Sequence, residues 1–308
     1  MAAGRALEST RVASRRRPIP RDWLWAVVFL GPNFLLFFVF TAFPIVFGLA
    51  VSFINWNVVE PWHFAGLANY RKLLFGDPLT WKTLRITLIY TVGVVPSALA
   101  IALFLAILLN QRIRAMGLWR GIFFLPMVTS GVAIALVWKW LYAKQFGAVN
   151  ALVGLFGVPP QDWLFNQTLV MPAIIVVAIW AALPVHIIFF LAALQGVPQD
   201  LYEAASIDGA GRWQQFGNVT WPLITPTTFF LLIITLIGSM TGGFDIVWNM
   251  TQGGPLDASD LFIVQLYRTA FVYFQMGYAS AMAYALFVII LVVTVFQWRA
   301  QKRWVHYS

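Results

Sequence analysis

The sequence predicts an all-α membrane protein with six transmembrane helices, and three observations carry that prediction. First, 61% of the 308 residues are hydrophobic and only 10% are charged, against about 25% charged in an ordinary soluble domain. A 34.7 kDa globule has too little interior to hide that much apolar surface, so lipid is the economical solvent. Second, the chain holds six charge-poor apolar stretches, each near the roughly 20 residues a helix needs to cross a bilayer. Third, the basic residues collect at the ends of these stretches rather than on one polar face. The spans must be helical, because backbone groups in lipid need partners within their own segment.

A basic cytoplasmic tail, residues 1–23, carries Arg5, Arg11, Arg15, Arg16, Arg17 and Arg21. The transmembrane domain follows over 24–298, with spans at 24–54, 86–111, 121–141, 169–195, 226–248 and 277–298, and a short tail closes the chain at 299–308. The apolar run behind the arginines exceeds the 7–15 residues of a secretory signal core and no small-x-small cleavage site follows, so it is read as a retained first span. Pro32, Pro44, Pro96, Pro172 and Pro184 lie in or beside spans and read as local kinks that neighbouring helices satisfy. Thirteen basic residues lie in the two tails, the 2–3 link (Arg112, Arg114, Arg120) and the 4–5 link (Arg212), against five (Arg71, Lys72, Lys82, Lys144, Arg268) in the opposite links. Lys/Arg excess marks the cytoplasmic side. Both termini are therefore expected in the cytoplasm, with the chain multi-pass in a bacterial inner membrane.

Several chemistries are excluded. The net charge of +9 is spread over span ends, so nucleic acid is not an expected partner. There is no cysteine, hence no disulfide frame or thiolate metal site. His63, His186 and His306 are far apart in sequence. No phosphate-binding loop is present, so the chain is not expected to bind ATP or another cofactor itself, and no nucleophilic Ser/His/Asp set stands out.

The link at 196–225 differs from the other short basic links. Pro198 suits a helix start, and Asp200 with Glu203 three residues on resembles a capping box. Leu201, Ala204, Ala205 and Asp208 share one face at helical spacing. Gly209 and Gly211 stop that helix, and a second short helix from Arg212 to about Asn218 leads to Pro222 and Pro226, where span five begins. The expected structure is a compact helix-turn-helix whose small alanines let another protein approach closely.

Glu203-Ala204-Ala205, then Gly209, then Val219-Thr220-Trp221-Pro222 resembles the signature loop of binding-protein-dependent ABC importer permeases, with Val for Ile and Trp for Leu in its second half. Further segments resemble the carbohydrate class, which includes maltose-type and glycerol-3-phosphate-type permeases. They are Phe64-Ala65-Gly66-Leu67-Ala68-Asn69-Tyr70, Phe124-Leu125-Pro126, Leu191-Ala192-Ala193-Leu194-Gln195, Phe244-Asp245 with Thr251-Gln252-Gly253-Gly254-Pro255, Tyr267-Arg268-Thr269-Ala270-Phe271, and Gly277-Tyr278-Ala279-Ser280-Ala281. The resemblance implies the type I importer permease fold and a non-ATPase subunit of an ATP-driven translocase. It implies a second homologous permease, two nucleotide-binding ATPase subunits and an extracytoplasmic substrate-binding protein as partners. It also implies that Glu203, Ala204, Ala205, Asp208, Gly209 and Arg212 form a coupling loop that docks on the ATPase. The substrate it implies is a sugar or related polyol, with glycerol-3-phosphate or its diesters as the alternative.

Asp245 is the one acidic residue in the predicted spans and so a candidate in the substrate pathway, with a loop-anchoring role as the alternative reading. His186 in span four reads first as an interhelical hydrogen-bonding group. Gly238, Gly242 and Gly243 in span five read as close-packing positions, with local bending as the alternative. A stand-alone secondary transporter is the rival class. It calls for internal repeats and several midplane ionisable residues, and neither is evident. A membrane enzyme would call for a cluster of His, Asp or Glu at one membrane face.

Overall fold

A computed structural model describes residues 22–57, 59–111 and 116–302. The arginines of the first tail, Arg112 and Arg114 of the 2–3 link, and the chain from Arg303 onward lie outside the described residues. The chain divides into two units, 1–50 and 51–308.

The first unit is one apolar helical run: α1 (Asp22–Phe37), a π turn over Phe38–Ala42, and α2 (Phe43–Ser52), which crosses into the second unit by two residues. The π turn has a local cause. Pro44 has no N–H to offer the carbonyl four residues back, and the helix widens just before it, so that the Phe43 N–H bonds to the Phe38 carbonyl. Its helix ends at Ser52, two residues before the predicted end of span one, because Ile54–Asn55 pairs with His63–Phe64 in a two-stranded hairpin.

In the second unit, α3 (Ala68–Arg71) belongs to the Phe64–Tyr70 motif, and the motif proves to be a clamp. Asn69 Nδ2 donates to the carbonyls of Ser52 and Ile54, both at 2.9 Å. A Cβ on Gly277 would overlap the Ile54 carbonyl, so the start of the last span can close on this clamp only as glycine.

Span two is longer than expected. Its helix, α4 (Pro78–Leu109), starts eight residues before position 86. Asp77 caps it, accepting from the N–H groups of Leu79 (3.0 Å) and Thr80 (3.4 Å) and from the hydroxyls of Thr80 (3.0 Å) and Tyr278 (2.7 Å). Burial works to raise the Asp77 carboxyl, but these bonds outweigh it and hold the group below the usual carboxylate range. The cap draws the charged Lys82 and Arg85 into regular helix, where Lys82 pairs with Asp257 at 3.0 Å.

Span three is not the single rod predicted over 121–141. It is α5 (Met116–Phe124), a 3-10 turn at Leu125–Val128 and α6 (Gly131–Leu141), with a 110° bend between the two parts. Pro126 lacks the N–H that would carry the α-helix on, and Ser130 restarts it by accepting from the Ala133 N–H at 3.3 Å. Eleven residues in α6 give only about 16 Å, half a crossing. A short helix, α7 (Ala148–Gly154), follows in the next link.

Span four is α8 (Val170–Gln195), one residue from its predicted start. It packs on α4, where Ala98, Ala102 and Ala106 are fully buried at four-residue spacing. Small side chains let helix backbones approach closely, which is how apolar helices associate in lipid. After the 4–5 link, with α9 (Gln199–Ile207) and α10 (Arg212–Gln215), another π turn at Phe216–Thr220 precedes Pro222, as the one over Phe38–Ala42 precedes Pro44. Helix therefore runs unbroken from Arg212 through α11 (Trp221–Thr241), and span five starts before the expected position 226.

Span five reaches Met250, two residues past its predicted end, with one interruption. It breaks at Gly242–Gly243, and α12 (Phe244–Met250) is a separate short helix. Gly243 takes φ +79°, and a Cβ there would meet Leu261 and the Tyr90 hydroxyl. These two glycines thus interrupt the helix between α11 and α12. Next come α13 (Phe262–Tyr267) and α14 (Met276–Gln301), span six. The Thr251–Pro255 motif and Arg268 form a second knot. Fully buried Asp260 pairs with Arg268 at 2.9 Å, and Arg268 also holds the Gln252 carbonyl at 3.0 Å. Burial pushes the Asp260 carboxyl up, opposed by Arg268.

Five helices among the described residues are long and apolar enough to cross a membrane, six if α5 and α6 make one bent crossing. Among the described residues, the only strands are the two-residue pair, so the fold is all-α and polytopic as expected.

Candidate functional site

The 4–5 link folds as a helix-turn-helix, with its caps placed differently from the sequence reading. Pro198 itself is the N-cap of α9 and no side chain caps it. Asp200 falls inside the first turn, so the Asp200–Glu203 capping box does not form. Asp200 still suits the positive helix end. The helix closes in a Schellman motif, with the Ala210 N–H on the Ala205 carbonyl (2.9 Å) and the Gly209 N–H on the Ser206 carbonyl (3.1 Å). Gly209 carries the left-handed turn at φ +77°, with open space where a Cβ would lie. Gly211 does not stop α9; it begins α10, donating its N–H to Gln214 Oε1 at 2.8 Å.

Side chains lock the two helices together. Gln215 Nε2 donates to Ser206 Oγ (2.9 Å) and to the Ala210 carbonyl (3.2 Å), and the Tyr202 hydroxyl meets Thr220 Oγ1 at 2.9 Å. The expected apolar face is split by this locking. Tyr202 and Ala205 turn inward and are half-buried, whereas Leu201, Glu203, Ala204, Asp208 and Arg212 are exposed. The outward surface gains two large residues that the sequence reading did not single out, Ile207 and Trp213, each 87% exposed. Both lie on the outward side of the locked loop.

A cavity of about 360 Å³ lies between α4, α8, α11 and α12, a size typical of small-ligand sites. Ala178, Ala181, Ala182 and Gly238 make its room. Tyr90, His186, Thr235 and Ser239 give its polar groups. His186, 5% exposed, meets Thr235 Oγ1 at 2.6 Å across α8 and α11, so it is the interhelical hydrogen-bonding group expected and a cavity wall as well. Ser239 Oγ also meets Thr91 Oγ1 at 3.2 Å, across α11 and α4. Thr235 and Ser239 were missed because such hydroxyls usually bond to their own helix; these also do, to the carbonyls of Leu231 and Leu236. No lysine or arginine lines the cavity.

Asp245 does not line the cavity, although its neighbour Ile246 does. It sits exposed in the first turn of α12 with its carboxylate against Gly131, where a Cβ would come within 2.9 Å of Oδ2. That is the N-terminal end of α6, a favourable seat for negative charge.

Residues 98–306 match the family described as "Binding-protein-dependent transport system inner membrane component". The chain is 34% identical to the probable ABC transporter permease protein YesP of Bacillus subtilis, over 96% of each chain. It is 32% identical to the sn-glycerol-3-phosphate transport system permease protein UgpA of Pectobacterium atrosepticum, over 95% of this chain and 99% of that one. Its fold matches that of a chain in the crystal structure of a bacterial alginate ABC transporter in complex with alginate pentasaccharide-bound periplasmic protein. That match has a TM-score of 0.80 and 25% identity, covering 92% of this chain and 95% of the other.

Proposed function

Because the chain belongs to the family of binding-protein-dependent transport system inner membrane components, we propose that it forms half of the translocation pathway of an ATP-driven importer for a neutral sugar or polyol. Its partners are a second homologous permease, two ATPase subunits and an extracytoplasmic binding protein. ATP stays on the separate subunits. The observation that carries the reading is the locked helix-turn-helix with Glu203, Ala204, Ile207, Asp208, Arg212 and Trp213 outward. A loop that drives one rigid element with another has to be internally stiff and outwardly complementary. ATP and substrate then each favour one of two conformations, and the loop transmits the bias.

The substrate class rests on the cavity. Hydroxyls, an imidazole and small apolar walls suit a polyhydroxylated ring. A phosphate would call for a lysine or arginine fork, and the cavity has neither. This favours a sugar or polyol over glycerol-3-phosphate or its diesters, the alternative that the UgpA relative brings.

Reconstitution tests the reading. Proteoliposomes holding the full complex should take up a neutral sugar only with ATP and the binding protein together. Uptake by this chain alone under an ion gradient would instead make it a secondary transporter. Orientation is tested separately. In this cysteine-free chain, Gln167→Cys should react with an impermeant thiol reagent in intact cells and Ser206→Cys should not. The reverse pattern would invert the topology.

Asp245 is assigned to the pathway beside the cavity. Asp245→Asn is expected to raise the uptake KM by about tenfold, the worth of a hydrogen bond to a charged group, at unchanged complex yield and basal ATPase rate. Unchanged uptake kinetics would leave Asp245 the anchor of α6 and nothing more.

A further inference from the structure

At the end of α6 a second cavity, about 470 Å³, is bordered by three charged side chains that the transport reading does not use. Lys139 and Lys144 are exposed and Asp162 is half-buried. None of them forms an ion pair; the two ion pairs among the described residues are Lys82–Asp257 and Arg268–Asp260. Lys139 Nζ reaches only the Asn249 carbonyl, at 3.5 Å. The remaining wall is apolar and open. Leu136, Trp140, Phe146 and Phe165 are 55%, 58%, 65% and 75% exposed, and Trp140 and Phe146 lie 6.4 Å apart ring to ring. Leu136 lies one helical turn below Trp140, so the apolar wall continues down the span toward the hydrocarbon.

Two ammonium groups and one carboxylate at the end of a span, above an apolar wall, complement a particular kind of molecule. It has a phosphate, a nearby ammonium group and a hydrocarbon tail. A purely anionic ligand would be repelled by Asp162, and a soluble zwitterion would leave the aromatic wall wet. We propose that this cavity is a binding site for a membrane phospholipid with a phosphoethanolamine headgroup. Its phosphate lies on Lys139 and Lys144, its ammonium on Asp162, and its acyl chain along Trp140 and Leu136. Charge-assisted contacts fix the headgroup, and the indole occupies the membrane boundary that suits an amphipathic ring. The site would tether the short α6, which spans only half a crossing, to the leaflet at its end. The inference rests on α5 and α6 forming one membrane crossing, and it is independent of what the importer carries.

The test is retention of lipid by the purified importer complex. The wild type, extracted from mixed phosphatidylethanolamine and phosphatidylglycerol and washed in mild detergent, should hold phosphatidylethanolamine about tenfold above phosphatidylglycerol by mass spectrometry. The Lys139→Ala, Lys144→Ala double variant should lose the retained lipid. Asp162→Asn should move the preference toward phosphatidylglycerol, a change that a merely structural aspartate would not produce. Equal retention by wild type and variants, or no retained lipid in the wild type, overturns the proposal. In a second arm, lipid-stripped complex is dialysed against labelled O-phosphoethanolamine. Binding there as tight as to the lipid would assign the site to a soluble ligand and overturn the lipid assignment.

Discussion

Gly209→Val is expected to cut coupled uptake sharply while the permease still inserts and pairs with its partner. The position has open space around it, so the damage is conformational rather than steric. At φ +77° an ordinary L-residue costs about 1–2 kcal/mol, and a β-branched side chain is the worst choice there. The Schellman bonds of Ala210 and Gly209 would give way, and α9 would no longer be held against Gln215 and Thr220. Uptake should fall by about tenfold or more, in line with that cost, with the ATPase lost from the complex or hydrolysing without transport. Gly209→Ala should fall between wild type and Gly209→Val.

The split between Ala204 and Ala205 gives the same prediction a control. Ala204→Trp places a large ring on the outward surface and should weaken ATPase docking by about 30-fold, the effect of losing a contact worth 2 kcal/mol. Ala205→Trp enters the half-buried side of the loop and should unsettle the loop itself, detectable as faster proteolysis between α9 and α10. Co-purification of the ATPase and uptake by proteoliposomes measure both. Wild-type association and coupled transport in Gly209→Val and Ala204→Trp would reduce the loop to a connector.

Gly238→Leu should close the substrate path. A Cβ at Gly238 meets nothing within 4 Å, and the side chain grows into a cavity of about 360 Å³. The helix backbone is undisturbed, and leucine is the better helix former. Complex yield and basal ATPase rate should therefore hold while uptake drops by about tenfold or more. Gly242→Leu is the contrasting case. A Cβ there overlaps the Gly238 carbonyl, so that variant should fail in assembly. Undiminished uptake through Gly238→Leu would place the pathway elsewhere.

The sequence by itself determined the solvent of this protein, its polytopic all-α class and the helix-turn-helix of the 4–5 link. Each is a local property. Apolar length reports lipid. Gly209 as the end of α9 follows from a backbone conformation that glycine adopts without cost. Span four, with no glycine and its prolines absorbed, was legible to within a residue. The tertiary structure decided the rest, because the deciding groups lie far apart in the chain. The early start of α4 needed the Tyr278 hydroxyl on Asp77. The break at Gly242–Gly243 is lined by Tyr90 and Leu261, which no pattern within span five reveals. The cavity exists because small residues of α8 and Gly238 of α11 face one another, and in an all-apolar helix no polar face tells which side will meet protein. Ala205 turned inward because Tyr202, on the same side of α9, is bound to Thr220 across the link. The charges at the end of α6 border one cavity because the chain after Ala143 folds back to bring Asp162 to the cavity that Lys139 and Lys144 line, an arrangement that only the folded loop creates.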